Sequence, residues 1–164
     1  MNKKGKSMSK KLMLTMAATV VALGTLTGCA SSSAGKNPTT TEIVETIQQD
    51  VDLSNLKQGD GEKLQKYYNI KPEDVEEFVI YTPSTNIKAD EMVIIKAKDE
   101  KDVDAIKEKL EKRAEEQGKS FKDYLPEQYA LIQNKLLKSN KNYVIFVISK
   151  DKDKIEEDFD NSLK

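Results

Sequence analysis

Histidine and tryptophan do not occur in the 164 residues, cysteine and arginine occur once each, and aromatic residues make up only 6%. Without histidine, the commonest general base at neutral pH and the commonest zinc ligand are missing. One cysteine excludes a disulfide within the chain. There is no glycine-rich phosphate loop and no serine in a nucleophile-elbow pattern, so conventional hydrolase and redox chemistries have few residues to work with. A sustained apolar span is missing too. The uncharged stretch Leu12 to Leu26 is shorter than the roughly 20 apolar residues needed to cross a bilayer.

What is there begins with a leader. Lys3, Lys4, Lys6, Lys10 and Lys11 precede that apolar stretch with no acid among them, which is the charged-then-apolar order of an export signal. It ends in Leu26-Thr27-Gly28-Cys29, which resembles a bacterial lipobox. The resemblance implies a diacylglyceryl thioether on Cys29, cleavage between Gly28 and Cys29, and then an N-acyl chain (commonly palmitate) on the new terminus. No other cofactor is expected. Two acyl chains hold where one is marginal, since each buried methylene contributes about 0.8 kcal/mol. The expected organisation is a lipoprotein signal peptide over 1–28, a lipidated flexible tether over 29–41, rich in Ser, Thr, Gly, Asn and Pro, and a single domain over 42–164. The expected location is the outer, extracytoplasmic face of the cell membrane.

Cleavage removes five of the 27 basic residues and none of the 28 acids, so the mature chain carries 22 bases against 28 acids. That net charge of −6 disfavours nucleic acid and anionic headgroups as partners. The lysines lie among the acids, the pattern of a solvated mixed surface.

Along the domain, Ile43, Val44, Ile47 and Val51 keep helical spacing, and a hydroxyl just before Glu42 caps the first turn. Leu64, Tyr67 and Tyr68 predict a second short helix, and Lys71-Pro72-Glu73-Asp74 a third helix start. Phe78 to Tyr81 and Met92 to Ile95 read as strands joined antiparallel through Pro83-Ser84-Thr85-Asn86. Asp99 caps a helix carrying Val103, Ile106, Leu110 and Ala114, which Gly118 ends. Phe121 to Leu136 reads as a helix broken near Pro126, with Leu136-Leu137 open to either helix end or hairpin strand. Tyr143 to Ile148 is apolar on both faces and belongs inside a sheet. Ile155 and Phe159 mark a last helix. The expected class is α+β: two layers, with a mainly antiparallel sheet of three to four strands packed against helices.

Several short motifs carry a family resemblance. Tyr68-Asn69-Ile70, Pro72 to Glu76, Ala89-Asp90-Glu91, Arg113 with Gln117, Phe121 with Tyr124 and Pro126, and Asn142-Tyr143-Val144 resemble small Gram-positive lipoproteins with a C-terminal domain of unknown function. The resemblance implies a lipid-anchored α+β domain and assigns no activity.

Arg113 is the candidate for chemistry because its planar fork clamps a carboxylate in two parallel bonds. Asp90, Glu91 and Tyr124 are its candidate companions, either as an anion-binding pocket or as an internal brace pinning helix to strand. Asp99, Glu100, Asp102 and Asp104 lack the glycine turn and distal glutamate of a calcium loop and read as helix-start acids, so no metal is expected. No catalytic residue is assigned. The sequence favours a non-enzymatic interaction or binding module that touches an unidentified envelope protein or wall component. Its alternatives are a wall-modifying hydrolase with paired carboxylates and a small-ligand receptor.

Overall fold

The computed structural model describes residues 36–164, so the leader, Gly28 and Cys29 lie outside the described residues. The first helix, α1 (Thr40–Ile47), opens two residues after Pro38. Thr39 rather than Thr41 caps it, because only residue 39 lies three before Glu42: the Glu42 amide donates to the Thr39 hydroxyl at 3.2 Å and the Thr39 amide to the Glu42 carboxylate at 2.7 Å. The end of the expected tether is therefore part of the fold. The Tyr143 hydroxyl donates to Pro38 O at 2.6 Å and lies 2.8 Å from the Asn37 side-chain amide, and the Thr40 amide donates to Glu77 at 2.8 Å.

The sheet is antiparallel throughout, with strand order β1-β2-β3-β5-β4. Its strands are β1 (Leu56–Gln58), β2 (Val75–Pro83), β3 (Glu91–Ala97), β4 (Leu136–Asn140) and β5 (Tyr143–Ile148). The α+β class and the antiparallel pairing of Phe78–Tyr81 with Met92–Ile95 are as expected. Five strands form rather than three or four. The three-residue β1 is too short to show a period, and Leu136–Asn140 takes the hairpin alternative. That hairpin turns at Lys141, in the left-handed region at φ 51°, and Asn142 Nδ2 pins the tip by donating to Ala97 O at 2.8 Å.

Helices cover both faces of the sheet, not one. On one side Val93, Ile95, Val144, Phe146 and Ile148 pack against α2 (Gly61–Tyr68), α3 (Val103–Phe121) and α4 (Pro126–Gln133). On the other, Met92, Ile94, Tyr143, Ile145 and Val147 meet α1 and α5 (Lys152–Ser162). Strand alternation sends successive residues of β3 and β5 to opposite faces, so double coverage accounts for their unbroken burial.

Three helix boundaries differ from expectation. Pro72–Asp74 makes a single 3-10 turn and passes directly into β2, whose β-branched and aromatic residues favour the extended state. Asp99 stands at the cap position of another such turn, Glu100–Asp102, and pairs with Lys101 rather than capping α3. Gly118 does not end α3; the helix continues to Phe121. A Cβ placed on Gly118 would meet the Tyr129 ring at 3.5 Å, an ordinary contact. Gly118→Ala is thus expected to raise stability by about 0.5 to 1 kcal/mol through helix propensity. Urea unfolding checks it, and a loss of stability would show that α4 packs too closely for a methyl group.

Candidate functional site

The first residue of β3 is a carboxylate where the pattern calls for a core residue. Glu91 shares a sheet face with Val93 and Ile95 and is 1% exposed, directly beneath α3. A charge that deep is costly unless its oxygens are paired. Here both are. Tyr68, the last residue of α2, donates its hydroxyl to Glu91 Oε1 at 2.6 Å. Arg113 and Gln117, one turn apart on α3, converge on Oε2 through Arg113 Nη2 at 3.0 Å and Gln117 Nε2 at 2.9 Å. Arg113 Nε adds a longer contact to Oε1 at 3.4 Å. The Tyr67 ring lies against the guanidinium, 4.6 Å from its centroid to Cζ, a cation–π contact that fixes the plane of the fork.

The electrostatics follow from this burial. Burial first, and then the Glu91 charge, push the Tyr68 phenol far above its ordinary value, so it stays a donor. For Arg113 burial acts against the charged form, but attraction to Glu91 and its hydrogen bond outweigh that and hold the guanidinium above its ordinary value. Gln117 is 7% exposed, and its Oε1, turned away from Glu91, has no hydrogen-bond partner among the described residues.

Of the four candidates read from the sequence, the structure brings together Glu91 and Arg113. Asp90, one residue before, is half-buried on the wall of a cavity of about 770 Å³, with Leu53, Ile87 and Leu131, on the other side of the loop joining β2 to β3 from Arg113. Strand alternation explains the separation: neighbours in an extended chain point to opposite faces. Tyr124, in the turn between α3 and α4, is 85% exposed and takes no part. Tyr68 and Gln117 take the vacant roles. The Arg113–Gln117 spacing of four was the available signal for Gln117, whereas nothing local to Tyr68 identifies its partner.

Above this tie lies a cleft of about 540 Å³ between α3 and the loop joining β2 to β3. Arg113 and Gln117 form part of its wall, with Lys88, Thr85, Ser120 and Glu116. Among the described residues no three acidic or other metal-ligating side chains converge, and no helix is long and apolar enough to cross a membrane.

A helix-covered antiparallel sheet braced by a buried glutamate is thus an α+β domain with a four-residue polar tie between β3, α2 and α3. Residues 49–149 match the domain of unknown function DUF4358, and the chain belongs to that family. Tyr68, Glu91, Arg113 and Gln117 all fall inside the matched span. No curated protein and no solved structure matches the chain.

Proposed function

We propose that this DUF4358 chain is a lipoprotein of the Gram-positive type, held by acyl chains on Cys29 at the outer face of the cell membrane, and that its domain is a non-enzymatic binding module. The observation that carries this reading is the lysine-rich, then apolar leader ending in Leu26-Thr27-Gly28-Cys29. The fold supports close tethering. Eight residue steps separate Cys29 from Asn37, where the chain docks on Tyr143, so even a fully extended connection reaches only about 28 Å. Partners are then envelope proteins or wall components that a domain tethered close to the bilayer can reach.

Binding rather than turnover is favoured by how Glu91 is used. Both oxygens accept hydrogen bonds from residues of the fold itself, the arrangement of a brace rather than of a group exchanging protons with a substrate.

Cys29→Ser removes the only sulfur available for a thioether. The variant is expected to keep its leader or to be released, while the wild-type protein partitions with membranes. Fractionation followed by immunoblotting reads the outcome, and unchanged partitioning together with leader removal in the variant would refute the anchor.

A further inference from the structure

Arg113 is only partly used by the Glu91 tie. It meets Glu91 side-on, and among the described residues its hydrogen bonds run from Nε and Nη2 alone. A guanidinium carries five N–H donors in a planar fork, which leaves the Nη1 end for a second acceptor. The side chain is 19% exposed and reaches the wall of the 540 Å³ cleft, a volume within the range of small-molecule sites. Tyr67 and Glu91 hold the fork in place before any ligand arrives, so little ordering cost remains.

We propose that this cleft binds a ligand carrying a single carboxylate, held by the free end of the Arg113 fork with Lys88 as a second cation. The inference rests on the binding-module reading and names its ligand class. Lys88, exposed on the loop joining β2 to β3, lines both this cleft and the adjoining cavity that carries Asp90, and Glu116 is the one acid among the cleft's own lining residues. Two cations against one acid, with Glu91 behind Arg113, suit a monoanion better than a dianionic phosphate. The hydroxyls of Ser84, Thr85 and Ser120 offer hydrogen bonds to the rest of a polar ligand. Such a carboxylate belongs either to a peptide terminus or to an acidic sugar.

The test titrates the full-length protein in detergent micelles with four probes: N-acetylalanine, glucuronate, the neutral N-acetylalanine methylamide and inorganic phosphate. At least one carboxylate is expected to bind, and the tighter of the two identifies the source. The methylamide and phosphate are expected to bind far more weakly. Lys88→Gln, which alters an exposed loop residue, is expected to weaken carboxylate binding by about fivefold at unchanged Tm. Arg113→Lys is expected to weaken it further, because an ammonium cannot replace the fork. No carboxylate binding, equal binding of the methylamide, preference for phosphate, or indifference to Lys88→Gln would overturn the site. The Cys29→Ser fractionation is unaffected by that result and tests the anchor separately.

Discussion

Glu91→Ala is expected to lower the free energy of unfolding by about 3 to 5 kcal/mol, the cost of leaving a buried partner charge unpaired. The loss has three parts in the structure: the Arg113 guanidinium keeps its burial without its counter-charge, the Tyr68 hydroxyl loses its acceptor, and the Gln117 amide loses the one partner its Nε2 has among the described residues. Three elements separate at once, since β3, α2 and α3 meet at this one carboxylate. Removing both charges should be less harmful than removing one. Glu91→Leu combined with Arg113→Met replaces the pair by apolar groups, and the double variant is expected to recover much of the loss. Urea unfolding of the two single variants and the double variant checks this. A Glu91→Ala effect below about 1 kcal/mol would place Glu91 among weakly coupled surface pairs and contradict the burial argument.

The second large effect is alkaline lability. The Tyr68 phenol is raised first by burial and then by the Glu91 charge, so the folded state favours its protonated form more than the unfolded chain does. For a group raised in this way, the stabilisation is complete below the unfolded value near 10 and is lost as pH rises toward the folded value. Lys96, raised chiefly by its hydrogen bond to Glu76, and Lys138, raised by Asp160 and Glu156, act in the same direction. Above pH 10 the wild type is expected to lose stability, with Tyr68 alone contributing up to about 1.4 kcal/mol per pH unit. Tyr68→Phe removes that contribution. The variant should be less stable at pH 8, by about 1 to 3 kcal/mol because Glu91 Oε1 is left with only the long Arg113 Nε contact, yet show a shallower decline between pH 10 and 12. Urea midpoints across that interval decide it: parallel curves for the two proteins would remove Tyr68 from the explanation.

How far the sequence could be read depended on whether a residue's partner was local. Helical spacing placed α1, α2 and α3 as far as Gly118, and the apolar runs of β3 and β5 announced buried strands, because these signals repeat within a few residues. Gly118 misled because helix propensity is a weak preference, and packing of α3 on the sheet and on α4 overrides it. Double coverage of the sheet was harder to see. It depends on α3 and α5, which follow β3 and β5 through similar acidic turns, crossing to opposite faces, and neither turn records which face. At the candidate site the lone arginine drew attention to Arg113, and the Arg–carboxylate idea led to Glu91. The choice between Asp90 and Glu91 required the strand register, and Tyr124 sat at a plausible distance along the chain but in an exposed turn. Tyr68 lies 23 residues from Glu91, and only the folding of α2 onto β3 brings them together.

The proposed place of the domain at the cell envelope depends on its being fixed to a membrane through one sulfur. Intact-mass spectrometry of the native protein extracted from membranes tests that most directly. The account predicts a chain beginning at Cys29 with the mass of a diacylglyceryl group and its further acyl chain added; a chain retaining residues 1–28, or one with an unmodified Cys29 thiol, would contradict it.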